Sequence, residues 1–229
     1  MRNLIIIGVA VIAIALFSKS ETQSAETQKP KDAIFVLFEN GGTVSASDQE
    51  NMRNTMLNLL HQITKLSRRK ATRDIDVHIV LSAEPNRIAW SGTPRQLLEE
   101  RENVREALSF TNGFSDLVLA FQQIQTTTEL TGVDKLKLYW IGPTVHVGFQ
   151  DAGSEIVVKV PQEVPKNLAL AAIAPKLDTL KIYGVHPDQD PMLNIYLMSQ
   201  GILNRARKGT LRFALYGAAQ TNSNIHNLL

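Results

Sequence analysis

Ile34 to Glu50 reads IFVLFENGGTVSASDQE. Five apolar residues, Ile34-Phe35-Val36-Leu37-Phe38, run without a polar break. β-branched and aromatic residues in an unbroken run suit a strand buried on both faces, as in a parallel sheet. The run ends in Glu39-Asn40-Gly41-Gly42-Thr43, a small polar loop carrying a turn signal. Ser47-Asp48-Gln49-Glu50 then has the capping-box form, Ser first and Glu three later. Met52, Met56, Leu59, Leu60, Ile63 and Leu66 follow at helical spacing. A buried strand therefore delivers a polar loop to the edge of a sheet, and an amphipathic helix carries the chain away.

The same alternation continues. Val77 to Leu81 reads as a second strand, and Glu84-Pro85-Asn86 as the turn of an antiparallel hairpin with Arg87-Ile88-Ala89-Trp90. Thr93-Pro94-Arg95-Gln96 caps a helix predicted to run to Leu108. The loop Thr111 to Asp116 opens a helix with Leu117, Ala120, Phe121 and Ile124 on one face, and Leu136 to Ile141 is a strand stopped by Gly142-Pro143. A hairpin is expected over 144–160, turning at 151–154. A helix is expected at Leu168–Ile173, a strand at Thr179–Val185, a helix at Asp190–Arg207 and a strand at Leu211–Tyr216, with a polar tail after it. Strands alternating with helices predict an α/β domain over 32–229: a doubly wound, mainly parallel, Rossmann-like sheet with helices on both faces and one antiparallel edge strand.

Before this domain, Met1-Arg2-Asn3 is a short basic start and Leu4 to Phe17 is an apolar run of 14 residues. A spanning helix wants roughly 20. The run fits a secretory signal, with cleavage after Ala15, Ser20 or Ala25, or an uncleaved N-terminal anchor extended by snorkelling Arg2 and Lys19. Residues 18–31 read as a polar linker. The expected location is extracytoplasmic or periplasmic, with tethering to the inner membrane if the segment is retained.

Composition narrows the chemistry. The formal charge of +2 on 229 residues gives no broad drive toward nucleic acid. With no cysteine there is no disulfide, thiolate metal site or thiol nucleophile. The sequence contains no GxSxG elbow, no phosphate-binding GxxxxGK[ST] and no GxGxxG after a strand. None of His61, His78, His146, His186 and His226 is paired at metal-ligand spacing. His61 and His78 read as packed or surface residues, whereas His146 and His186 lie near strand ends and could meet beside Asp188 or Asp190 for acid–base work. Lys65, Arg68, Arg69, Lys70 and Arg73 form a basic cluster. It reads as a solvated helix end complementing the dipole or as a contact for an acidic partner or anionic head groups. Arg205, Arg207 and Lys208 follow the same logic, and Trp90 reads as edge packing or a docking surface.

The order of parts resembles a von Willebrand factor A-type domain from about Asp32 to Arg207. The resemblance is carried by the first strand and its loop, the hairpin VHIVLSAEPNRIAW, the loop and helix TNGFSDLVLAFQQI, and the strand LKLYWIGP. It implies that a divalent ion would sit at the strand tops, on an Asp-x-Ser-x-Ser loop, a Thr and a further Asp. Here Glu39, Gly41 and Thr43 take the places of the triplet, Ser115 or Asp116 falls near the Thr, and Gly142 or Pro143 replaces the final Asp. Two expected oxygen donors are thus missing, and a hard cation wants several, so the expectation is no bound metal.

Open α/β sheets bind ligands at this edge, so Glu39, Asn40, Thr43, Ser45, Ser115 and Asp116 are the expected contact residues. For the single side chains a purely structural role is also open: Glu39 and Asn40 cap nearby backbone while Gly41-Gly42 turn the chain. The functional expectation is a non-enzymatic module contacting other envelope proteins, and by analogy of fold and location part of a secretion or conjugation assembly. Two alternatives stay open: an adhesion module holding Mg²⁺ or Mn²⁺ with Glu39, Thr43, Ser115 and Asp116, and an envelope hydrolase using Asp116 or His146.

Overall fold

A computed structural model of the chain describes residues 31–145, 150–152, 155–157, 164–165 and 167–229. The segments read as signal or anchor and linker lie outside them, apart from Lys31. Among the described residues no helix is long and apolar enough to cross a membrane.

The first strand, β1 (Asp32–Phe38), lies at the centre of the sheet. Its alternation divides the core. Ala33, Phe35 and Leu37 face one helical layer, and Ile34, Val36 and Phe38 face the other. Helix α1 (Ala46–Thr64) follows, then a short 3-10 turn, Lys65–Arg68. Strand β2 (Asp76–Leu81) lies parallel to β1, and β3 (Ile88–Gly92) returns antiparallel at the edge. Two short helices, α2 (Pro94–Glu99) and α3 (Arg101–Ala107), precede α4 (Leu117–Leu130) and β4 (Lys135–Ile141). Strands β5 (Gln150–Ala152) and β6 (Glu155–Val157) pair antiparallel as the expected hairpin, and they form a two-stranded sheet of their own. The chain closes with α5 (Leu170–Ile173), β7 (Leu177–Val185), α6 (Asp190–Ser199), α7 (Ile202–Arg207), β8 (Arg212–Gly217) and α8 (Ala218–Ser223).

The six-stranded sheet has the order β3-β2-β1-β4-β7-β8, parallel throughout except for β3. The expected fold class is therefore what the chain adopts. Apolar residues of α4, α5, α6 and α7 cover one face against Phe35, Leu138, Trp140 and Ile182. Those of α1, α2 and α3 cover the other against Val36, Phe38, Ile141 and Tyr183.

Four local features differ from the sequence reading. Helix α1 begins after Ser45, not Ser47: the Asp48 and Gln49 amides both donate to the Ser45 carbonyl, and the Ser45 hydroxyl donates to the Asp48 carboxylate at 2.6 Å. The helix expected from Thr93 to Leu108 keeps its capping box, with the Gln96 amide on Thr93 Oγ1 and the Thr93 amide on Gln96 Oε1. It is interrupted at Glu100, whose carboxylate accepts from Trp90 Nε1 at 3.0 Å. Asp190–Arg207 is divided by Gly201, whose φ of +70° ends one helix and opens the next.

The polar tail is a helix followed by a docked segment. Leu228 is fully buried against the α1 layer, and its carbonyl accepts from Tyr183 Oη at 2.5 Å and Lys181 Nζ at 3.2 Å. Gln62 of α1 donates to the Ile225 carbonyl and accepts from the Leu228 amide. Periodicity misses this because a single leucine provides the anchor. Leu228→Ala is expected to cost about 2–4 kcal/mol in urea unfolding, the range for emptying a buried leucine site.

Candidate functional site at the C-terminal edge of the sheet

The strand ends are tied together before any ligand is considered. The Glu39 amide donates to the Ile141 carbonyl and the Gly142 amide to the Tyr183 carbonyl, so β1, β4 and β7 stay in register to their tips. Side chains continue the tying. Asn40 accepts from the Ala83 amide at 3.1 Å through Oδ1 and donates to the Ser109 carbonyl at 3.0 Å through Nδ2, while its carbonyl accepts from the Thr111 amide. One buried amide thereby joins the loops after β1, β2 and α3.

Gly41 lies so close to the 111–116 loop that a Cβ would approach Ser115 Oγ to 2.5 Å and the Gly113 carbonyl oxygen to 2.9 Å. That proximity builds a chain of hydroxyls: Thr43 Oγ1 donates to Ser115 Oγ at 3.1 Å, and Ser115 Oγ meets Ser82 Oγ at 2.9 Å. Asp116 caps α4, accepting from the Leu119 amide at 2.9 Å.

Glu39 turns under the loop instead of out from it. It is fully buried, and Oε1 accepts from Trp140 Nε1 at 2.6 Å and from the Thr144 amide at 2.8 Å, while Oε2 has no hydrogen-bond partner among the described residues. Gly142 makes the room: a Cβ there would overlap the Glu39 Cβ, Cγ and Cδ atoms. Burial pushes the Glu39 carboxyl up to about 8, against which the Trp140 and backbone hydrogen bonds pull only in part. At neutral pH it is a neutral acid.

Of the expected contact residues, then, the structure brings Thr43 and Ser115 into direct contact and joins Glu39 and Asn40 to neighbouring strands and loops. Glu39, Asn40 and Ser115 are buried, Thr43 and Asp116 are half-buried, and Ser45 is exposed. The surface that remains is a crevice of about 600 Å³ over the tips of β1, β4, β7 and β8. Thr43, Ser45, Asp48, Met52, Val145 and His186 line it in part. It lies where the strand order changes direction between β1 and β4, the position at which open α/β sheets take ligands. His186 Nδ1 accepts from the Asp188 amide at 3.2 Å, whereas Asp190 accepts from Asn194. His146 lies outside the described residues.

The donor set does not fit the divalent ion that a von Willebrand A resemblance would imply. One Glu39 oxygen is committed to Trp140 and Thr144, Asp116 is committed to its helix, and Gly142 brings no side-chain oxygen. Among the described residues, no group of three His, Asp or Glu side chains is placed to hold a metal. His78 is packed: its ring lies 4.6 Å from that of Phe35, Nδ1 meets Ser91 Oγ at 2.8 Å, and burial lowers its pKa.

Sequence reasoning overlooked Trp140, Thr144 and Ser82 as partners and Met52, Val145 and Gly184 as crevice walls. The available signal was the pairing of β1 with β4, which sets Glu39 beside the small Gly142. No protein-family model matches the chain. No curated protein matches it either.

Proposed function

We propose that the chain is a von Willebrand A-like protein-interaction module, exported to or tethered at the cell envelope. In this reading it engages a partner protein with the loops around the crevice and needs no metal ion. The observation that carries this is the inward turn of Glu39: the one carboxyl group at the tip of β1 is buried and spent on Trp140 and Thr144, and burial raises its pKa. The hydroxyls of Thr43, Ser82 and Ser115 bond one another, so the loops are fixed in advance of binding. Pre-ordered loops lose little conformational entropy on association. Phe114, 59% exposed on the adjoining loop, adds an aromatic contact of the kind enriched at interfaces. The envelope location rests on the Leu4–Phe17 run, and an assembly such as a secretion or conjugation apparatus fits such a location.

The test is site-specific photocrosslinking of the full chain in its own cell. A benzophenone side chain at Ser47 or at Phe114 is expected to yield a protein adduct, and one at Leu130, exposed at the C-terminal end of α4, none. Absence of adducts at both positions, or equal labelling at Leu130, would sink the reading. The metal-free element has its own check. The melting temperature of the full chain is expected to move by less than about 1 °C between EDTA and excess Mg²⁺ or Mn²⁺, since a ligand selective for the native state raises it.

A further inference from the structure

A second cavity, of about 510 Å³, opens on the α1 face toward the N-terminal ends of the strands, away from the crevice. Its floor departs from what a central sheet face should be. Strands buried on both faces are expected to be apolar, and lysine is almost never buried without a partner. Here pairing places Ile34, Lys137, Thr179 and Arg212 in one row across β1, β4, β7 and β8, with Tyr139 and Lys181 in the next row. Lys65 and Arg69, just beyond α1, add two cations from above.

The charges are not balanced locally. Among the described residues, five cationic side chains, Lys65, Arg69, Lys137, Lys181 and Arg212, line the cavity, and no Asp or Glu does. At its rim Asp32 lies 3.5 Å from Lys137 and Asp178 lies 3.1 Å from Arg212. A carboxylate at Leu229 would offset a third cation, still leaving an excess. Among the described residues Lys65 and Arg69 form no ion pair, and Lys181 Nζ has only the Leu228 carbonyl. Burial first, and then Arg212, hold the Lys181 ammonium below the usual lysine range. Burial pushes Tyr139 up to about 12, so its hydroxyl remains a donor, and that hydroxyl makes no hydrogen bond to the described residues. The arrangement combines several cations, Lys65, Arg69 and Arg212 among them exposed, with a waiting phenolic donor around a half-open cavity. This is the chemistry that recognises a multiply charged oxyanion.

We infer that this cavity binds a phosphoryl group, borne by a soluble organic phosphate or by a lipid head group, with Lys137, Lys181, Arg212 and Tyr139 on its floor and Lys65 and Arg69 above. The site is independent of the crevice and of the partner proposed there.

Calorimetric titration with pyrophosphate tests it, using the full chain in phosphatidylcholine vesicles at ionic strength matched with sodium chloride. Saturable binding is expected, weakened about tenfold or more by Lys181→Gln and by Tyr139→Phe. Lys208→Gln, at the end of α7 and outside the cavity lining, should leave it unchanged. Because Lys181 also holds the tail, Lys65→Gln is included as a variant that does not, and it too should weaken binding. Repeating the titration in vesicles containing phosphatidic acid, whose phosphomonoester head group can carry two charges, separates the sources. A loss of apparent pyrophosphate affinity identifies a lipid head group as competitor, and no change identifies a soluble phosphate. No saturable binding in the phosphatidylcholine vesicles, or an equal loss in Lys208→Gln, overturns the inference.

Discussion

Glu39→Gln is expected to remove most of the alkaline loss of stability and to leave the protein about 3 kcal/mol more stable than wild type at pH 7. The buried carboxyl holds its proton to about pH 8, whereas the unfolded chain releases it near the ordinary value of 4.5. A folded-state pKa raised in this way contributes nothing adverse below 4.5. It erodes stability as pH climbs from 4.5 to 8, and the cost is constant above that. At about 1.4 kcal/mol per pH unit, the full span amounts to roughly 5 kcal/mol. Glutamine keeps an acceptor for Trp140 Nε1 and the Thr144 amide while removing the titration. Its amide nitrogen takes the place of Oε2, which has no hydrogen-bond partner among the described residues. The acid limb should survive in the variant. His78 has its pKa lowered by burial, so it favours the folded state above its ordinary 6.5 and opposes it as pH falls through its own value. Urea unfolding of both proteins between pH 4 and 9 reads the two limbs separately. A wild-type decline from pH 5 to 8 that persists in Glu39→Gln would show that the carboxyl is not the group responsible.

Gly142→Ala is the second large effect. Its φ of +153° is unusual for any side chain, and the space where its Cβ would stand is taken by Glu39. Overpacking of this kind costs about 1–3 kcal/mol, and the strained backbone adds about 1–3. The expected loss is therefore about 3 kcal/mol or more. The steric part belongs to the pair, so Glu39→Ala/Gly142→Ala should recover some of it, with a coupling of about 1–3 kcal/mol in a double-mutant cycle. Additive losses would mean that the two positions do not share the space. Gly142→Asp, the change toward the von Willebrand A pattern, is expected to fail for the same reason unless Glu39 is shortened with it.

Much of the sheet is legible in the chain because its strands are apolar and its punctuation is strong. IFVLF needs burial on both sides, the turn at Glu84-Pro85-Asn86 fixes the edge hairpin, and Thr93-Pro94-Arg95-Gln96 sets a helix start. What stayed hidden depends on contacts between distant segments. Whether Glu39 points up to a ligand or sideways to Trp140 is decided by the residue on the neighbouring strand, 103 positions on, where Gly142 leaves a gap. Asn40 looks like an ordinary loop residue until three loops converge on it. The basic floor was invisible for a related reason. Lys137, Lys181 and Arg212 are isolated in sequence and become neighbours only through strand register.

The docking of Leu228 also sets a clock on the chain's birth. Gln62 is made early and must wait for a partner 166 residues later, and the Tyr183 hydroxyl has no acceptor in that wall until the same residue arrives. During synthesis the α1 face therefore stays open and the sheet side of its core incompletely covered. The wall is completed only after Leu228 has left the ribosome, so the last residues made close the first helix onto the sheet.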